Sequence, residues 1–282
     1  MSVTLTTDRW LTDWERWHQD REAAATAPFG TASLTGTHWL THDPQVIDGL
    51  PGRWRASNDG GGPRVVQEST TGDGVVLGVG EHGVLGAVRL LVIQRQGALA
   101  VRVFDPSAPS RTALAGIDTF SPDPAWVVDG WYEPAGPGAE AATEHVDGFV
   151  AREAIAGTVR FRSGDEEVTV AVFSTAPGRA QLRFGDTAFA AGRGFRFLQL
   201  EVPERGGPTV IDFNRAYLPP CTFSDHYLCP IPPRQNKLPF DVRAGERSLR
   251  SVGAADEAGS WSQTDPEVGV GDTGIEPVTP AV

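Results

Sequence analysis

Glycine and proline, 33 and 22 of 282 residues, are what most constrain the fold open to this chain. Together they make up about a fifth of it, against an average of roughly 12%. Backbone punctuation at that density works against long helices and favours many short strands joined by turns. The remaining composition supplies a core: 40% of residues are hydrophobic and 21% charged, which excludes a wholly disordered chain.

One helix stands out, over Thr7–Ala25, where Trp10, Leu11, Trp14 and Trp17 form a stripe at helical spacing after a capping Thr7 or Asp8. Three tryptophans on one face read as a packing stripe. Phe29 to Leu50 gives mixed signals, and Gly49 to Pro63 reads as turn and loop. From Arg64 onward the pattern is strand-like. The candidates are Arg64–Glu68, Val75–Val79, Val88–Arg95, Leu99–Asp105, Thr158–Arg162, Val168–Phe173, Ala180–Phe184, Phe195–Val202 and Thr209–Phe213. Pro134 to Glu144 reads as an exposed loop. These elements predict a mainly β protein, an antiparallel β-barrel or sandwich of about ten strands by that count, with the amphipathic helix packed outside. The expected organisation is one domain over 1–250, closed by a Pro-rich segment over 214–247, and an acidic, disordered tail over 251–282.

Two turns can be placed. Ser163-Gly164-Asp165 suits a hairpin, and Gln96-Gly97 suits a two-residue one. With the turn at Gln96-Gly97, Arg95 faces Ala98, Ile93 faces Ala100, Leu91 faces Arg102 and Arg89 faces Phe104. The alternate face, Val88, Leu90, Val92 and Gln94 against Leu99, Val101 and Val103, is nearly all apolar and belongs to the core. Arg89, Arg95 and Arg102 fall on the other face, either as a solvated arginine surface or as one that receives an anion.

The charge balance narrows the partners. The formal net charge is −12, and the tail carries Asp256, Glu257, Asp265, Glu267, Asp272 and Glu276 with no basic residue. Neither part offers the basic surface that phosphate backbones demand, so no nucleic-acid partner is expected. Nor is a membrane partner, since no window approaches 18 consecutive apolar residues. Met1 to Arg21 lacks a basic start followed by an apolar core, and two cysteines do not make a disulfide framework. A cytoplasmic protein is the expectation.

Gly78-Val79-Gly80-Glu81-His82-Gly83 is a G-x-G-x-x-G motif after the strand-like Val75-Val76-Leu77, with Asp105 placed 22 residues on to hold a ribose hydroxyl. The crossover would have to be helical through Arg95, yet Val88 to Ile93 reads at least as well as a buried strand. Nothing after Asp105 continues a strand–helix alternation. Dinucleotide binding is therefore the minor alternative, and the glycines are expected to be turns.

The most unusual sequence runs from Val210 to Arg247. It contains Asp212-Phe213-Asn214, Ala216-Tyr217-Leu218-Pro219-Pro220-Cys221 and Cys229-Pro230-Ile231-Pro232-Pro233. Asn236-Lys237-Leu238-Pro239 and Ala244-Gly245-Glu246 follow. These motifs resemble the signature of the domain of unknown function 1684 family of prokaryotic proteins. The resemblance extends more weakly to Arg95, Arg102, Asp105 and Asp186, and covers most of Trp10 to Arg247. Leu218 stands where that pattern has Asn, and Lys237 where it has Arg. The family brings no established activity.

Read physically, the signature is polar chemistry on a proline-stiffened loop. Cys221 and Cys229 are open to four readings. They are ligands of a zinc site with His226, a disulfide, a nucleophilic Cys221 relayed through His38 or His226 and Asp212, or buried small hydrophobes. In the last case Asp212, Asn214 and Tyr217 satisfy loop backbone. The functional expectation is a small-molecule-binding protein, or an enzyme acting on an anionic small molecule, where this loop meets the arginine face. Arg95, Arg102, Asp105, Asn214 and Asn236 are its candidate ligand-binding residues, and Asp212, Tyr217 and Cys221 its candidate catalytic ones. No metal is expected, and composition identifies neither a cofactor nor an oligomeric state. The alternative is a non-catalytic structural or interaction domain in which the signature serves folding alone.

Overall fold

In the computed structural model the two glutamine and glycine residues after Arg95 turn the chain as the hairpin reading requires. Gln96 and Gly97 have φ of 47° and 88°, the doubly positive geometry of a tight two-residue turn. The flanking strands β6 (Val88–Arg95) and β7 (Ala98–Phe104) pair as Arg95 with Ala98, Ile93 with Ala100, Leu91 with Arg102 and Arg89 with Phe104. The register derived from the sequence is the register of the protein. The structure describes residues 7–59, 61–69, 74–186 and 194–253.

Helix α1 spans Thr7–Thr26. It precedes a four-stranded antiparallel sheet in the order β1-β7-β6-β5, with β1 at Leu34–Leu40 and β5 at His82–Leu85. Strands β2 (Arg53–Ser57), β3 (Arg64–Glu68) and β4 (Val76–Gly78) make a second sheet. The two share a core of Leu90, Val92, Val101, Trp54 and Val65, all less than 1% exposed. Gly78–Gly83 links β4 to β5, and the segment after it is strand β6, antiparallel to both neighbours. The dinucleotide alternative is corrected by this arrangement, because a phosphate loop needs a helix N-terminus after the glycines.

The largest sheet is a half-barrel in the order β14-β13-β12-β11-β9-β15. Its strands are β9 (Val127–Pro134), β11 (Val150–Ser163), β12 (Glu166–Ala176), β13 (Arg179–Phe184), β14 (Arg196–Glu201) and β15 (Gly207–Asp212), with β10 (Glu140–Glu144) paired onto β11. Gly164 turns β11 into β12 at a φ of 60°. Inside, Phe213 is fully buried and meets the rings of Trp126, Phe161 and Phe184 at 5.6–6.2 Å. Strands β8 (Leu114–Thr119) and β16 (Glu246–Ser251) pair as a separate ribbon. The mainly β, antiparallel architecture with one N-terminal helix is as expected, but with sixteen strands among the described residues rather than about ten. Strands occupy three stretches read otherwise: β1 within 29–50, β2 within 49–63 and β10 within 134–144.

Residues Met1–Val252 form one unit. Of the following Gly253–Val282 only Gly253 lies among the described residues, so the disordered tail expected over 251–282 falls outside them, apart from Ser251 at the end of β16, Val252 and Gly253. No helix among the described residues is long and apolar enough to cross a membrane.

The signature segment is held by one carboxylate. Glu246, fully buried, accepts two hydrogen bonds from Arg21 of α1 at 2.7 and 2.9 Å and one from the Leu218 amide at 2.8 Å. Its own amide donates to Ala216, and its carbonyl accepts from Arg196. Gly245 precedes it at a φ of 77°, where a Cβ would lie 2.5 Å from the Ala216 carbonyl oxygen, so no other residue fits. Removing one partner of such a buried pair costs about 3–5 kcal/mol. Glu246→Ala is therefore expected to lose about that much in urea unfolding, with helix α1 released at lower urea than the half-barrel.

Candidate functional site

Strand alternation sends Arg89, Arg95 and Arg102 away from the β2–β4 side, and each guanidinium lies over an aromatic ring. Arg89 covers Phe29 at 4.3 Å, and Arg95 lies between Phe149 and Trp39 at 3.9 and 4.5 Å. Arg102 faces Tyr227 at 5.1 Å. Tyr227 belongs to the signature loop, which β1 fastens over this shelf: Thr37 donates to the His226 carbonyl and Ser224 to the Leu34 carbonyl. The loop and the arginine face thus meet.

The charges on the shelf do not balance. Arg95 donates to Asp147 at 2.8 Å, and this contact holds the Asp147 carboxyl below its ordinary range. Arg102 has no carboxylate within ion-pair distance among the described residues, and its Nε is buried without a hydrogen-bond partner, as is Nη1 of Arg95. Burial pulls the Arg102 pKa down, opposed by the neighbouring Tyr227 and Cys229. Burial also pushes the Tyr227 hydroxyl up to about 12.

Behind Arg95 lies a second charged group. Glu153 sits 3.5 Å from Nε2 of His145 and accepts from Arg183, whose Nε donates to Gln181 and whose guanidinium covers Phe173 at 4.1 Å. His145 Nδ1 lies 2.8 Å from the Leu228 carbonyl oxygen, and the Val146 amide donates to the Cys229 carbonyl. The histidine therefore joins the β10–β11 hairpin to the loop that carries Tyr227.

The other expected site residues lie elsewhere. Asp105 caps the turn after β7, accepting from the Ser107 amide and hydroxyl, which lower its pKa. Asn214 is fully buried; its carbonyl oxygen accepts from the Asp123 amide, and its NH2 donates to the Asp123 carbonyl and to Asp212. Asn236, equally buried, accepts from the Ala171 amide and donates to the Ala171 and Arg183 carbonyls. Both amides serve distant peptide groups, those of a turn for Asn214 and of two strands for Asn236, which is why the chain needs Asn there. Cys221 and Cys229 are buried thiols, not bridged to each other, beside Phe195 and Phe197, with the Cys221 amide 3.2 Å from Cys229 Sγ. The hydrogen bond between them, and then burial, push the Cys229 thiol far up. The charged neighbours of His38 are His226 and Asp48, so the Cys–His–Asp relay through Asp212 is not assembled.

Asp212 and Tyr217 come together instead at a groove of about 780 Å³ along the seam where β14 and β15 splay apart. Trp17, Gln199, Arg179, Val210 and Arg215 also line it. Asp212 accepts from the Asn214 amide and NH2 and from the Trp10 indole. The Trp14 indole donates to the Asn214 carbonyl. The tryptophan stripe thus docks α1 on the signature by hydrogen bonds as well as packing, a role its spacing alone did not signal.

The His145–Glu153 contact has a pH signature. Glu153 first, then the Leu228 carbonyl, raise His145 above its ordinary 6.5 despite burial. Its contribution is complete below pH 6.5 and is lost as pH rises through the higher folded value. Burial opposes ionisation of Glu153, but His145 and Arg183 hold it down to about 2, so its contribution is complete above 4.5 and lost toward pH 2. The contact is therefore worth most between pH 4.5 and 6.5. Wild type should lose stability relative to His145→Gln as pH rises above 6.5 in chemical unfolding, and a difference that does not change with pH would refute the assignment.

Residues 112–247 match the family model described as protein of unknown function (DUF1684). No curated protein matches the chain. Among solved structures, the solution NMR structure of an uncharacterized protein of Haloarcula marismortui is 28% identical, with a TM-score of 0.40; the match covers 47% of this chain and 76% of that one. The family match begins just before β8 and ends within β16, so it contains the seam groove except for Trp17 and leaves Arg95 and Arg102 outside. From Thr112 to Arg247, then, the chain is similar to the DUF1684 family.

Proposed function

We propose that this protein binds a small oxyanion, a carboxylate or phosphate group, on the arginine shelf beneath Tyr227. One observation carries the reading: Arg102 is a largely buried cation with no carboxylate partner among the described residues and an orphaned Nε. An isolated buried charge is costly, and natural cores pair such charges or give them a ligand. Guanidinium suits an oxyanion because its planar N–H fork matches two oxygens at once. Arg95 offers Nη1 from the same face, and the rings of Trp39, Phe149 and Tyr227 limit how far either guanidinium can swing. Binding rather than turnover is proposed, since the nearest nucleophile, Cys229, is held as a thiol.

The test separates a structural arginine from a ligand-binding one. Arg102→Met keeps the length and removes the charge. In anion-poor buffer it is expected to melt at or above wild type, because an uncompensated buried charge has been replaced by an apolar side chain. Inorganic phosphate or acetate, added at constant ionic strength, should stabilise wild type by about 2.7 kcal/mol at a hundredfold excess over Kd and leave the variant unmoved. A variant that melts far below wild type, together with no anion effect on wild type, would make Arg102 structural and end the proposal.

A further inference from the structure

The seam groove holds a phenol that two glutamine side chains approach. Gln181 and Gln199 both donate their NH2 groups to the Tyr217 oxygen, at 2.9 and 3.1 Å. The orientation of Gln181 is set because its carbonyl oxygen accepts from Arg183 Nε, which can only donate, whereas Gln199 is exposed and its neighbour Thr175 is a hydroxyl that serves as donor or acceptor. The phenol therefore accepts from Gln181, and its O–H is open to an acceptor that enters the groove. Arg21 lies over the ring at 4.8 Å and packs the phenol from one side.

Arg215 adds donors to the same groove. It sits 3.5 Å from Asp212, but that carboxylate already accepts from Asn214 and Trp10, and the contact is an ion pair rather than a close hydrogen bond. Its N–H groups stay available. Arg179, exposed, stands in the lining on the β13 side, and Trp17 of α1 supplies an aromatic wall. The lining also carries two carboxylates, exposed Glu201 and the already hydrogen-bonded Asp212, so the donors gather at the Tyr217–Arg215 end. That end with its aromatic wall suits a ligand with acceptor oxygens at one end and a flat or apolar body at the other.

We propose that the groove between β14 and β15 is a second binding site, for an organic carboxylate, whose oxygens take the Tyr217 O–H and the Arg215 guanidinium while its body lies against Trp17. The groove volume of about 780 Å³ accommodates a ligand of ordinary metabolite size. The site is separate from the arginine shelf, because none of Arg95, Arg102 and Tyr227 lines the groove.

Benzoate and its uncharged isostere benzamide are the probes, titrated calorimetrically into the full chain. Wild type is expected to bind benzoate and to bind benzamide at least about tenfold more weakly, the difference of one charge-assisted contact. Tyr217→Phe should weaken benzoate about tenfold. Arg179→Ala, an exposed change that spares the fold, should weaken it by a smaller factor. Absence of benzoate binding to wild type, equal binding of benzamide, or benzoate binding untouched in both variants overturns the proposal. So does loss of benzoate binding in Arg102→Met, which would put the ligand on the arginine shelf instead.

Discussion

A single buried carboxylate organises this protein. Glu246 takes two hydrogen bonds from helix α1 and one from the Leu218 amide, while its backbone joins Ala216 and Arg196. It brings together four segments that are up to 225 residues apart in sequence. Its neighbours follow from that role. Gly245 is required by its positive φ and by the approach of the Ala216 and Phe213 carbonyls. Ala244 offers its carbonyl to Arg196, a fully buried cation that also pairs with Asp186 at 2.7 Å. The Ala-Gly-Glu triplet is thus a junction, and each of its residues has a physical reason to be there.

The same economy governs the rest of the signature. Phe213 plugs the half-barrel, Asn214 clamps the turn at Asp123, and Asn236 clamps Ala171 and Arg183. A backbone polar group left unpaired in such surroundings costs roughly 1–3 kcal/mol, so these amides act as substitute peptide groups where the strands lack a neighbour. Arg102 Nε, Arg95 Nη1, His18 Nδ1 and His145 Nε2 stand apart from this pattern as buried atoms without a close hydrogen bond. Two of these four sit on one face of the β6–β7 hairpin, and that coincidence on one shelf is what sets Arg95 and Arg102 apart from the single orphans. The Tyr217 phenol, in the lining of the seam groove, is a further polar group with a proton to give.

The parts of this fold that were legible in the sequence are those where local rules suffice. The β6–β7 register followed from a two-residue turn and a period of two, and α1 followed from a tryptophan stripe, ending one residue past the expected Ala25. Strand β9 was missed: its run Val127-Val128-Asp129-Gly130-Trp131 mixes an acid and a glycine into the strand, and Gly130 is there because a Cβ would press on Ile211 and Val159 at 3.0 Å. Strand β2 offers only Trp54 and Ala56 to the core, too few for a pattern. The chemistry of the signature was visible as residue types, but its partners were not. Asn214 and Asp123 are 91 residues apart, and Asn236 and Ala171 are 65. Nothing in the local sequence tells an amide that will meet a ligand from one that will meet a strand.

The most direct test of the account is crystallographic and concerns the shelf. Selenate, an oxyanion that scatters anomalously, can be soaked into crystals of the wild-type protein. An anomalous peak is expected about 4 Å from Arg102 Nε, one Se–O bond beyond the accepting oxygen at about 3 Å, within reach of Arg95 Nη1 and under the ring of Tyr227. Selenate bound only at exposed arginines such as Arg152 or Arg243, with none beside Arg102, would contradict it.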